Sequence, residues 1–381
     1  MKIDLVYPTL PPELNGVGDH TAHLSAALAD FGCQVRVITE QVQHDPIRGV
    51  SVHSAFSLHR RGGILAIAEA VESTPPDWLV IQFEPFSYGH WGYNPYLPLA
   101  LYRAKRAVPS LKLAVLFHEV YMFPHSVKTG IMTLFHLPQF WLTGLLADVA
   151  LFAVETWADR YARWFPQTLV GHLPVGSNMP RMDADPAAVR RHLGISPDAF
   201  VVGLFGSAHP SRLLRYVDRA LAPVCKARGD VHVLYVGPDG DAVRRALSNV
   251  IPMTDTGPLP GPDVSRCFSV MDLYLAPFRE GVSARRGSFL AGVQHGVATV
   301  STRGRDTGSE MLKHDGTAFR LSPADDPDHF ASSVATLIYD AEGRARVASE
   351  GRRYYDSRHA WTTLADTLLH SLSRVGRPAA A

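Results

Sequence analysis

From its first residues the chain alternates short apolar runs with stretches whose apolar positions recur at helical spacing. KIDLVYP reads as a strand, HTAHLSAALADFG as an amphipathic helix ending near Gly32, and QVRVITE as the next strand. GILAIAEAVES, DWLVIQF, PLALYRAKRA, LKLAVLFHE and DVALFAVETWADRYARWF continue the rhythm. Strands alternating with helices predict a parallel sheet covered on both faces. Between His172 and Asp198 the pattern breaks into a Pro-, Asp- and Gly-rich stretch, which reads as an interdomain connection. It restarts with FVVGLFGSAHP, a helix from about Ser211, VHVLYVGPDG, NVIPMTDTG, a short helix near SRCFSVM, DLYLAPF, a helix to about His295, and VATVSTRG.

The expected architecture is therefore α/β, with two Rossmann-like parallel-sheet domains at 1–178 and 179–358. The amphipathic WTTLADTLLHSLSRV within 359–381 forms a C-terminal helix packing back on the N-terminal domain, and the final RPAAA is frayed. Two such sheets facing each other place their strand ends, and so a ligand, in the crevice between them.

Composition narrows the function. The 381 residues carry 37 Lys+Arg against 36 Asp+Glu, a formal net charge of +1 without long like-charge blocks, which argues against a dedicated nucleic-acid binder. Cys33, Cys225 and Cys267 are far apart and form no CxxC pair, so neither a disulfide framework nor a thiolate zinc site is expected, and a reducing, cytosolic compartment fits. The N-terminus lacks the apolar core and cleavage site of a signal peptide. Thr129 to Ala147 runs 19 residues without a formal charge, near the length of a membrane span, yet includes His136, Pro138, Gln139 and three threonines. Three readings stay open for it: a buried helix, a face touching a membrane, or a span.

Candidate chemistry clusters at the ends of expected strands. Gly16-Val17-Gly18-Asp19 lies between the first strand and first helix, where amides and the helix dipole favour an anion. A tight turn capped by Asp19 is the alternative. His118 follows the strand LAVLF, where it hydrogen-bonds a sugar hydroxyl, donates toward developing charge, or is simply structural. The loop EPFSYGHWGYNPY supplies Phe86, Tyr88, Trp91, Tyr93 and Tyr96, which pack either sugar faces or their own domain. In the second half Gly206 follows a strand, with Arg212 near the first turn of the next helix as a phosphate ligand and Arg215 on a solvated face. Glu280, Gly281, Val282 and Ser283 precede Arg285-Arg286 at a helix entry, where a carboxylate and amides hold sugar hydroxyls and arginines neutralise a diphosphate.

In their order and spacing, NGVGDHTAHLSAALADFGCQVRVIT, LFHE, VGLFG with its basic helix, VLYVGP, DLYLAPFREGVSARRGS, GVATVSTRG and HDGTAFRLSPAD resemble the GT-B nucleotide-sugar glycosyltransferases, specifically the retaining bacterial family 4 type (glycosyltransferase group 1). The resemblance covers nearly the whole chain. It implies that Gly16 and Gly18 border the donor phosphate and sugar, with Asp19 toward the acceptor, and that His118 takes part in sugar binding. Gly206 and Arg212 take the place of a glycine and a basic diphosphate ligand, Glu280 to Ser283 the loop holding the donor sugar, and Glu310 the place near an acidic residue after the next strand. The family usually carries a second Glu that holds the ribose; here that position is Ser288, or Ala291 if an insertion is allowed. Arg285, Arg286 and Ser288 are expected to take over part of that binding.

The resemblance thus implies a glycosyltransferase moving a sugar from a nucleoside-diphosphate sugar to an acceptor hydroxyl with retention. No cofactor or metal is required, since no Asp-x-Asp stands at a crevice loop. His118, Asp19 and Glu280 are the expected catalytic residues. The acceptor is expected to be a glycan or glycolipid, lipid-linked or at the cell surface, with the enzyme cytoplasmic and peripheral at the inner membrane face. The competing readings are a nucleotide-sugar epimerase, a phosphorylase, or a catalytically silent binding protein.

Overall fold

A computed structural model describes residues 1–375; the frayed end expected for RPAAA lies outside the described residues. The chain forms two compact units, one comprising Met1–Pro174 with the chain from Trp361, the other Val175–Ala360.

The first unit is built on seven strands, β1 (Lys2–Val6), β2 (Gln34–Thr39), β3 (Val50–Ser54), β4 (Trp78–Phe83), β5 (Lys112–Phe117), β6 (Val149–Phe152) and β7 (Leu169–His172), in the order β3-β2-β1-β4-β5-β6-β7. All the pairings are parallel. β4 is buried at every position, so WLVIQF shows no alternation: both faces of a parallel sheet are covered. The strand order reverses between β1 and β4, the kind of switch point at whose carboxyl strand ends open parallel sheets place their ligands.

The first helix, Gly16–Asp30, turns its Leu24, Ala27 and Leu28 onto that sheet and ends before Gly32, whose φ of +80° suits glycine. Leu364, Ala365, Leu368 and Leu372 of the last helix, Trp361–Arg374, enter the same apolar cluster. That helix is thus part of the first unit's core.

The second unit repeats the plan with β8 (Phe200–Phe205), β9 (Val231–Val236), β10 (Met253–Asp255), β11 (Leu273–Ala276), β12 (Thr299–Arg303) and β13 (Arg320–Pro323), ordered β10-β9-β8-β11-β12-β13 and again parallel. Its switch point falls between β8 and β11. The helix expected from about Ser211 begins at Leu214, because Arg212 forms a β-bridge with Phe278 and the Leu213 amide donates to Pro277 O at 3.1 Å. Those contacts hold the residues after β8 against the loop after β11.

Leu368 is fully buried, so Leu368→Ala leaves a cavity and is expected to destabilise the first unit by about 3 kcal/mol. Urea unfolding followed by circular dichroism checks this, and a cost below about 1 kcal/mol would show that the last helix is not integral to that core.

Candidate functional site

In the first unit three loops meet at the strand ends. Asn15, not Asp19, caps the first helix: its Oδ1 accepts from the Val17 and Gly18 amides, both at 3.0 Å. This corrects the expectation that those amides await an anion, since each already has an acceptor. Gly18 is demanded by packing, for a Cβ there would lie 2.6 Å from Thr9 O. Gly16 opens the helix at the surface. Asp19 sits in the first turn, half-buried, and burial pushes its carboxyl up to about 6.

His118 follows β5, its amide donating to Phe83 O at the end of β4. Its ring is buried, and Nε2 donates to Gln82 Oε1 at 2.7 Å. Burial lowers its pKa to about 3, so the ring is neutral at physiological pH and acts as a hydrogen-bonding group rather than a cation. His20 meets it edge-on, with centroids 4.7 Å apart. Neither ring nitrogen of His20 has a hydrogen-bond partner, and neither does Gln82 Nε2. Trp361 closes this pocket of polar atoms, edge-on to His20 at 5.2 Å and stacked on His23 at 5.0 Å. The sequence reading missed His20, Gln82 and Trp361. The available signal was a glutamine at the carboxyl end of an otherwise apolar strand.

The aromatic loop divides between the two roles considered for it. Tyr88 packs its own domain, its buried hydroxyl donating to Val6 O and Gln82 O. The Tyr96 hydroxyl accepts from Arg61 Nε, whereas Phe86, Trp91 and Tyr93 are exposed.

In the second unit the loops after β8 and β11 bring the predicted residues together around one ring. Gly206, at φ +94°, leaves room for Arg212, whose Nη2 would lie 3.0 Å from a Cβ there. That Nη2 donates to Phe205 O at 2.5 Å and to Ser288 Oγ at 3.0 Å. The Arg212 and Arg286 guanidinium groups lie 5.0 and 4.6 Å from the centroid of Phe278. Of the two positions considered for the absent second Glu, Ser288 is in this cluster and Ala291 is fully buried in the core.

The Glu280–Ser283 loop is lashed to the turn after β12. Gly281, at φ +81°, approaches so closely that a Cβ would lie 2.2 Å from Gly304 N. The Val282 amide donates to Thr302 O, Thr307 Oγ1 donates to Val282 O, and the Asp306 amide donates to Glu280 O. Val282 is fully buried and anchors the loop. Glu280 Oε1 lies 3.8 Å from Arg305, but Glu280 Oε2 and Ser283 Oγ are buried without hydrogen-bond partners. Arg285 lies 3.9 Å from Asp306, whose carboxyl is pushed up by burial against the pull of Arg285 and Arg305. The sequence reading missed Phe278, Arg305, Asp306 and Thr307.

Glu310 lies on the helix Ser309–Lys313 and pairs with Arg358 at 2.7 Å, Lys313 at 3.3 Å and His314 at 3.4 Å, none of them in the Glu280–Ser288 segment. Arg215 is exposed. Among the described residues no group of three His, Cys, Asp or Glu side chains is placed to hold a metal ion.

Residues 199–340 match the family model described as Glycosyl transferases group 1. A comparison with curated protein sequences gave no match. Among solved structures, the chain is similar to sucrose-phosphate synthase from Thermosynechococcus elongatus, with 13% identity, a TM-score of 0.72 and 98% of each chain covered. It is similar to HepE of Anabaena in complex with UDP and glucose, with 16% identity, a TM-score of 0.68, and 98% of this chain and 100% of that one covered. It is also similar to WaaG, a glycosyltransferase involved in lipopolysaccharide biosynthesis, with 13% identity, a TM-score of 0.65, and 99% and 100% covered. The chain has the two-domain fold of these GT-B proteins.

Asp19 gives this site a pH signature. Its unfolded carboxyl titrates near 3.8 and its folded one near 6, so stability is highest below the first value and falls as pH rises through the second. Asp19→Asn is expected to match the parent in stability at about pH 4 and to exceed it above pH 6 by on the order of 1 kcal/mol after discounting for partial exposure, read as a higher melting temperature. Equal melting temperatures at both pH values would show that the carboxylate is not strained by burial.

Proposed function

We propose that this chain, a GT-B glycosyltransferase with a group 1 domain, transfers a sugar with retention from a nucleoside-diphosphate sugar to a glycan or glycolipid hydroxyl. One observation carries the donor half of the reading: at the second unit's switch point, two arginines share the Phe278 ring beside a buried carboxylate oxygen and a buried hydroxyl that have no partners. A diphosphate answers the arginines, and sugar hydroxyls answer Glu280 Oε2 and Ser283 Oγ.

The chemistry follows from where charge develops. As the bond from sugar C1 to the diphosphate oxygen breaks, negative charge grows on the leaving group, and Arg212, Arg285 and Arg286 stabilise it without a required metal. The acceptor oxygen bonds to C1 on the same face, and its proton passes to a donor phosphate oxygen, so no side-chain base is needed. Neutral His118 orients a sugar hydroxyl, and Asp19 faces the acceptor. Ser288, with Arg285 and Arg286, takes over nucleotide contacts in place of the second Glu; Gly206 makes room for Arg212 and Gly18 for the Thr9 carbonyl, and Gly16, exposed at the helix start, borders the donor. Glu310, committed to Arg358, Lys313 and His314, acts at most by fixing the turn it follows.

HepE is described with UDP and glucose, which makes UDP the first nucleotide to test. The unpaired cysteines agree with a cytosolic reaction, at the inner membrane face when the acceptor is lipid-linked.

A thermal-shift titration with UDP, GDP, dTDP and ADP is expected to raise the melting temperature with one of them, with or without magnesium. Arg212→Ala and Arg286→Ala should each weaken that nucleotide about tenfold to a hundredfold. Full affinity in both variants would remove the assigned diphosphate site, and sugar conversion without any acceptor would favour an epimerase.

A further inference from the structure

Gln82 and His118 stand where two core strands run out. Along β4, Leu79, Ile81 and Phe83 enter one apolar cluster, whereas Trp78 and Val80 enter the cluster covered by the first and last helices. Along β5, Leu113, Val115 and Phe117 separate in the same way from Ala114 and Leu116. Side chains alternate faces along a strand, so Gln82 and His118 continue the second rows, on the face where His20 and Trp361 lie. Both backbones are held there. The His118 amide donates to Phe83 O at 3.0 Å, and Gln82 O accepts from the Tyr88 hydroxyl at 3.1 Å.

Gln82 is fully buried at a position that the strand pattern reserves for an apolar side chain, a costly placement for an amide. Its end group makes one hydrogen bond among the described residues: Oε1 accepts from His118 Nε2 at 2.7 Å, and Nε2 has no partner. That single bond has a definite consequence for the ring. A neutral imidazole carries one proton, and an acceptor at Nε2 keeps the proton there, so the lone pair falls on Nδ1. No protein group among the described residues bonds Nδ1.

The choice of an amide also matters. A carboxylate at this place would draw a second proton onto the ring, and Nδ1 would then donate instead of accept. With the amide, burial holds the ring's pKa at about 3. His20, edge-on to His118 at 4.7 Å, is likewise held well below its ordinary value by burial and brings no charge.

We propose that Gln82 is a positioning residue: its Oε1 holds His118 as the Nε2–H tautomer, and Nδ1 accepts from a hydroxyl of the bound sugar. This rests on the reading of His118 as a sugar ligand and adds a rule of selection. A hydroxyl can donate to Nδ1, whereas a carboxylate or phosphate oxygen at the same place sets lone pair against lone pair. The tautomer thus favours a neutral hydroxyl over an anionic substituent at the sugar position that His118 meets.

The test is NMR of the full chain with isotope-labelled histidine ring nitrogens, His118 being assigned by the signals lost in His118→Ala. The ligand-free parent is expected to carry the His118 proton on Nε2 and none on Nδ1. Gln82→Met keeps the side-chain length but leaves a buried Nε2–H without an acceptor, so the proton is expected to move to Nδ1. With UDP-glucose as the donor probe, Gln82→Met should lower kcat/KM about tenfold while leaving the UDP-induced melting shift intact, and should add less than about twofold in a His118→Ala background. A proton on Nδ1 in the parent, or a tautomer indifferent to Gln82→Met, would overturn the proposal. So would a loss that persists at full size in the His118→Ala background, because the amide would then act on something other than His118. The tautomer measurement needs no donor, so its outcome is separate from that of the transferase reading, which UDP binding and product analysis decide.

Discussion

The ring of Phe278 organises the second unit's chemistry. It is buried at the start of the loop after β11, and the guanidinium groups of Arg212 and Arg286 rest near it from two different segments. An aromatic ring attracts each cation but does not neutralise it. Arg212 donates to a carbonyl and a serine hydroxyl, and Arg285 lies 3.9 Å from Asp306, so several guanidinium groups gather where a parallel sheet places its ligand. The β-bridge between Arg212 and Phe278 and the Gly281 approach to Gly304 fix this arrangement before any ligand arrives. Such preorganisation is what a leaving diphosphate requires, because little reorganisation remains when the bond breaks.

In the first unit the pocket around His118 is polar without being charged. Burial keeps His20 and His118 neutral, and the two rings, with Gln82 and Trp361, enclose polar atoms that have no protein partner. Buried polar groups left unmatched are costly, so a bound molecule that supplied the hydrogen bonds would be favoured there. A neutral, directional lining of this kind suits sugar hydroxyls. Trp361 belongs to the last helix, which ties the integrity of this pocket to the chain's final segment.

Much of this was legible in the sequence because it follows from local pattern. Apolar runs alternating with amphipathic stretches specify parallel strands and covering helices, and Phe205-Gly206 or Phe117-His118 mark strand ends directly. What escaped depends on residues distant in the chain. The run Asn15-Gly-Val-Gly-Asp19 holds two good capping residues, and only the backbone path shows that Asn15 takes the amides. Nothing near Asp306 announces that its amide would bond Glu280 O, and Trp361 meets His20 across most of the chain length. The uncharged run at 129–147 left three readings open because composition does not say which helix face is buried; the structure buries Met132, His136, Gln139 and Phe140 and exposes Leu134, Phe135 and Trp141, so apolar residues lie on both faces.

On the function proposed, the loops after β8 and β11 hold a sugar nucleotide through Arg212, Arg286, Glu280 and Ser283. A crystal structure of the chain soaked with UDP-glucose tests it most directly. Diphosphate oxygens are expected within hydrogen-bonding distance of Arg212 and Arg286, and sugar hydroxyls on Glu280 Oε2 and Ser283 Oγ. A well-ordered nucleotide that touches none of these four side chains would contradict it.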